Sequence, residues 1–298
     1  MYIKVIYYLG LMKNNANHYE SLDSIDYLKE DEIDEWCKDN KYIKDYYRKT
    51  NQNWSYYIKS LFRLHNETVN IWSHLLGFIG ILSGTFYINF KYDIDKFFTQ
   101  SLCFNIFTVC MMICYLFSSI MHLFYPKNES VCHKTQFMDY LGINFLIAST
   151  FATFVYFAFY CDVTTQIIYY VSIIALSILI LPISKMKIFM QYKFRWIRPT
   201  VFFIYASSFI VPIVHRIILR EKNDNVYKIE LWYFIISASM YIIGISFYIT
   251  RFPERYKEGF FDIFGSSHQL FHIFVLLGGV FSLIGVLKAL NGDNNISC

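Results

Sequence analysis

Apolar positions along this chain do not alternate with polar ones; they run on in long blocks separated by short charged segments. Seven blocks are long enough to cross a bilayer as helices, which takes about 20 apolar residues. They lie near 71–90, 101–125, 137–160, 165–184, 199–219, 231–250 and 268–287. A β-barrel does not fit, because none of the blocks shows a polar–apolar period of two. The fourth block, rich in β-branched residues and serines, is the weakest, so six spans with one re-entrant segment is the alternative. The expected fold class is an all-α membrane protein, a seven-transmembrane helix bundle.

Composition and charge refine this picture. The 298 residues are 55% hydrophobic and 20% aromatic, and only 17% are charged, against roughly a quarter in soluble domains. Residues 1–66 hold ten Lys or Arg and ten Asp or Glu, leaving seventeen and thirteen for the remainder. Two regions are therefore expected, an N-terminal region over 1–66 and a transmembrane domain over 67–298. Met1–Met12 is apolar but lacks a small-residue cleavage site, so it does not read as a signal peptide.

Within the N-terminal region, Glu20 to Asp39 carries nine acidic residues and two lysines, expected as a solvated, partly helical segment. Lys41 to Arg63 interleaves basic groups with Tyr42, Tyr46, Tyr47, Trp54, Tyr56 and Tyr57, expected as a juxtamembrane helix on an anionic leaflet. A plain linker is the bland alternative. Nucleic-acid binding is a poor explanation, since an aromatic belt beside a span accounts for the pattern. Loops 126–136, 185–198 and 251–267 carry ten Lys or Arg against five in the other loops. The positive-inside rule then predicts a cytoplasmic N-terminus and an outer C-terminus. That is opposite to G-protein-coupled receptors, whose Asp-Arg-Tyr ending to the third span is also missing.

The seven cysteines imply no disulfide framework, and Cys110 and Cys114 read as packing. Ionisable groups inside spans are costly, and each is a functional candidate. They include His74, His122, Asp139, His215, His268 and His272. With alternating topology, the end of span two and the starts of spans three and seven share one face. His122, Asp139, His268 and His272 then lie within roughly 6 Å of that interface. His268 and His272 stand one turn apart, a common grip on a divalent ion, and His122 can supply a third nitrogen. Three His ligands leave a fourth zinc position open for water, with Asp139 placed to orient a ligand or that water. Ser118 lies one turn before His122 on the same face. His215, opposite in depth and near Pro212, reads as structural, and His65 and His133 as solvated.

These residues resemble the progestin and adipoQ receptor family, which includes the hemolysin III-related proteins, and are closest in wording to its adiponectin-receptor branch. Three segments carry the resemblance: Glu67-Thr68-Val69-Asn70-Ile71-Trp72-Ser73-His74-Leu75-Leu76-Gly77; Ser118, His122 and Asp139; and Arg251-Phe252-Pro253-Glu254-Arg255 followed by Phe261-Asp262-Ile263 and Ser267-His268-Gln269-Leu270-Phe271-His272. Together they cover about Phe62 to Leu287. The resemblance implies a seven-helix bundle with an inside N-terminus and zinc on His122, His268 and His272. Asp139 would hold the bound water, with Ser118 nearby. Glu67, Asn70 and His74 would be structural motif residues, not ligands. A short tail after Leu287 and an unfamiliar N-terminal region argue against a protein hormone as partner.

Three functions follow as expectations. The first, which the resemblance implies, is a zinc-dependent hydrolase of lipid amides such as ceramide, using Asp139 as base, with membrane sphingolipids or fatty acids as ligands. The second is a receptor or sensor in which zinc only braces the bundle. The third is a hemolysin-like pore, for which the few intramembrane charges offer little conduit. Ligand chemistry alone leaves other first-row metals open.

Overall fold

The structure is a computed structural model that describes residues 27–91, 98–186, 194, 196–222 and 230–291. Residues 20–26 of the acidic segment lie outside it. Among the described residues, seven helical stretches are long and apolar enough to cross a membrane. They follow a short helix, α1 (Trp54–Ser60). The first four spans are α2 (Thr68–Lys91), α3 (Phe98–Phe124), α4 (Glu129–Ala158) and α5 (Val163–Ser184). Span five is split into α6 (Ile197–Ser207) and α7 (Ile210–Lys222), and α8 (Leu231–Thr250) and α9 (Ser267–Asn291) complete the set. All seven expected blocks are helices, including the fourth, and the described residues contain no strand beyond one isolated bridge between Leu28 and Tyr47.

Local chemistry sets the breaks. In span five, Pro212 lacks the N–H that would bond the carbonyl of Ser208, and the helix is interrupted at Ser208–Phe209. Asn128 caps α4 by accepting from the Val131 N–H at 2.9 Å, so spans two and three turn sharply into one another. Spans two and three are pressed close at Gly142, where an added Cβ would sit 2.8 Å from the Cys114 Cα. That contact matters for the site, because Asp139 lies one turn before Gly142 and Ser118 one turn after Cys114.

Span seven packs on spans six and one, span one on span two, and span two on span three. Tyr115, Phe154, Phe157 and Phe234 are among the fully buried side chains of the core. Residues 27–66 fold over the end of the bundle where spans two, three and seven meet. Their own small core is Ile33, Cys37, Ile43 and Tyr47. Helix in the basic-aromatic stretch is confined to α1, where Tyr57 and Ser60 are buried and Trp54 and Ile58 exposed.

A candidate metal centre at the capped end of the bundle

His122, His268 and His272 converge although 146 residues separate the first from the second. One ligand atom from each lies within 4.8 Å of the others. Ring centroids are 4.8 Å apart for His122 and His272, 5.0 Å for His122 and His268, and 4.9 Å for His268 and His272. The cluster is buried at two of its members and half-buried at His268.

Two of the three rings have polar neighbours. Glu67 Oε2 stands 2.7 Å from His122 Nδ1. An ionised carboxylate only accepts, so Nδ1 carries the proton and Nε2 keeps a free lone pair. That Nε2 is buried with no protein partner. Ser73 Oγ lies 3.3 Å from His272 Nδ1. A carboxylate behind a metal-facing imidazole is the usual support of a ligand, and the same oxygen of Glu67 is fixed by Asn70 Nδ2 at 2.7 Å. The donor set therefore fits a divalent metal that accepts nitrogen ligands.

The helix ends that carry these rings are also held. Arg48 is 2% exposed and donates from Nη2 to the His122 carbonyl (2.6 Å) and from Nη1 to the Leu123 carbonyl (2.9 Å). A cation on the last carbonyls of a helix satisfies orphan acceptors and opposes the dipole. Glu254, fully buried, accepts from the Ser267 N–H at 2.7 Å and from its hydroxyl, capping the start of α9. Gln269 Oε1 takes the Gly265 N–H at 2.6 Å. His268 and His272 thus leave a first turn that is fixed on both sides.

Asp139 and Ser118 do not join the three-imidazole cluster but line the same cavity, and the Ser118 hydroxyl lies within reach of the Asp139 carboxylate. This cavity, about 320 Å³, runs from His268 and His272 between spans two, three, five, six and seven, with walls of Leu146, Phe202, Phe209 and Phe271 among others. A smaller polar cavity of about 90 Å³ lies between the N-terminal cap and the triad, lined by Asp39, Glu67, Arg198, Arg251 and His268 among others. Arg198 and His268 border both.

Residues 62–283 match the haemolysin-III related family. The chain belongs to that family. It is 30% identical over 244 residues to the adiponectin receptor protein of Drosophila melanogaster, covering 82% of this chain and 55% of that protein. It is 32% identical over 276 residues to heptahelical transmembrane protein 1 of Arabidopsis thaliana, covering 90% and 82%. It is 29% identical over 271 residues to progestin and adipoQ receptor-like protein 1 of Caenorhabditis elegans, covering 91% and 62%. The chain spans little more than half of the fly protein and under two thirds of the nematode one.

The haemolysin-III related match encloses Glu67, Ser118, His122, Asp139, His268 and His272, while Arg48 and the other residues of 27–61 lie outside it. Three expectations change. His65 is not solvated but 0% exposed. Burial and nearby Arg48 push its pKa down to about 2, and its neutral Nδ1 accepts from the Glu67 N–H at 3.1 Å. Cys161, at the end opposite the triad, is disulfide-bonded, a bond that the cysteine pattern did not signal. Glu67 is more than a motif residue, since it holds a ring of the triad; its place three and seven residues before Asn70 and His74, on one helix face, was the available signal. His215 is structural as expected, with Nδ1 3.0 Å from the Tyr169 hydroxyl.

Proposed function

We propose that this protein is a zinc-dependent hydrolase of lipid amides of the ceramide type, with its site at the cytoplasmic side of the membrane. The observation that carries the reading is a cluster of three converging imidazoles, two of which, His268 and His272, also line a largely apolar cavity that holds a carboxylate. His122, His268 and His272 would hold the metal. Zinc, when bound, supplies a Lewis acid for the amide carbonyl and lowers the pKa of a bound water to about 7.

Asp139 then takes a proton from the attacking water on a carboxylate oxygen and delivers it to the leaving amine nitrogen. Ser118 steadies that carboxylate, and Glu67 keeps His122 in the tautomer whose Nε2 faces the cluster. The apolar wall of the cavity accommodates an acyl chain and keeps bulk water from it. The cytoplasmic placement is supported by the ten-to-five loop charge count.

The test is release of free fatty acid from ceramide by purified, zinc-loaded protein, with release abolished in His268→Ala. No turnover on any amide lipid sinks the reading. It would then favour a receptor or sensor braced by metal, the role that the names of the fly and nematode relatives suggest for those proteins.

A further inference from the structure

One motif residue has no task in the hydrolase reading. His74 lies on the face of α2 that carries Asn70, about two turns after Glu67, and it is 3% exposed. Its ring stacks on His272, with centroids 3.9 Å apart and planes at 15°, and tilts against Tyr115 at 5.1 Å. Neither Nδ1 nor Nε2 has a hydrogen-bond partner, and the residue lines the large cavity. A buried imidazole whose nitrogens make no well-formed hydrogen bond, with only a loose approach to the His272 backbone, bears a desolvation cost that is poorly offset. Packing against His272 and Tyr115 alone is served as well by a phenyl ring, which has no such cost. A neutral imidazole offers one N–H and one acceptor nitrogen, and a hydroxyl matches either.

Depth fixes where such a hydroxyl sits. His74 is level with His272, so the group it meets lies beside the amide held at the triad and not far along an acyl chain. We propose that His74 is a positioning and specificity residue that hydrogen-bonds a hydroxyl on a carbon flanking the amide-bearing carbon, selecting N-acyl amino-alcohol lipids over simple fatty amides. This deepens the hydrolase reading and rests on it for the placement of the amide.

The experiment measures equilibrium binding of ceramide, 1-deoxyceramide and 3-deoxyceramide to the zinc-loaded protein in nanodiscs, on an Asp139→Asn background that prevents turnover. At least one deoxy lipid binds about tenfold more weakly than ceramide, the effect of one lost hydrogen bond. His74→Phe weakens ceramide to the level of that deoxy lipid with zinc content unchanged, and His74→Gln, which keeps a donor and an acceptor, restores part of the preference. Equal binding of all three lipids by the protein with His74 intact overturns the proposal. So does an unchanged preference in His74→Phe, or loss of zinc or of folded protein in both His74 variants, which makes the residue structural. A preference that depends on His74 in a protein with no hydrolysis when Asp139 is intact removes the hydrolase reading and leaves the hydroxyl site standing. Hydrolysis without any such preference does the reverse.

Discussion

Spans two and three bury 50% and 61% of their membrane-crossing windows inside the protein, whereas span four buries 17%. Yet span four is no less apolar: Ile167, Ile168, Val171, Ile174, Ile178 and Leu179 all face outward. In water such a helix would be drawn into a core. In lipid the hydrophobic driving force between helices vanishes, and close packing and polar contacts decide which helix becomes central. Spans two and three have both. They meet at the Gly142 notch, and they bring Ser118, Ser119, His122, Thr135 and Asn144 to buried positions. Ser119 Oγ also donates to the Ile71 carbonyl of span one at 3.2 Å. The candidate chemistry sits where polar side chains could be satisfied by neighbours, and the lipid-facing span carries none of it.

The contrast can be tested at four depths of effect. Asp139→Asn on span three is expected to cut lipid amide turnover by about 10²–10⁴, the range for a lost general base, with zinc content by elemental analysis unchanged. Zinc loss in that variant would instead make Asp139 part of the metal's hold.

Glu67→Gln removes the carboxylate behind His122 while keeping an acceptor. Its zinc affinity should fall by about 10–100-fold, read by chelator competition; an unaltered affinity would mean that the 2.7 Å contact with His122 contributes nothing.

Glu254→Ala strips the cap from the start of span seven and leaves Asn40 Nδ2 and the Ser267 N–H without their acceptor. A loss of about 1–3 kcal/mol is expected, measured as a lower unfolding midpoint in detergent.

The smallest effect belongs to span four. Ile174→Val, at a 56% exposed position, should shift stability by no more than about 0.5 kcal/mol. A shift as large as that of Glu254→Ala would erase the distinction between central and peripheral spans.

Much of the candidate site was legible before the fold was known. The one-turn spacing of His268 and His272 and the depth of His122 and Asp139 are properties of helices, and each can be counted along the chain. Arg48 and Glu254 were not legible in this way. Arg48 reads as one of many basic residues near a membrane, and only its seat on the His122 and Leu123 carbonyls, 74 and 75 residues away, gives it a role. His65 sits outside every span and was expected in water, yet the N-terminal cap closes over it. Charge patterns report on solvent and leaflet, and neither reveals that a segment folds back onto helix ends.

By itself, the sequence determined the seven helices and their order, because a backbone in hydrocarbon must bond internally and a run of about 20 apolar residues leaves it no other form. It also determined which ionisable groups share one membrane face, because alternation of spans fixes that. The tertiary structure alone decided that Glu67 aims His122, that an apolar cavity opens beside the triad, and that Cys161 is in a disulfide. Those depend on side chains brought together from distant parts of the chain, and in a bilayer the choice among packings turns on notches such as Gly142 and on single polar contacts. No periodicity in a sequence records them.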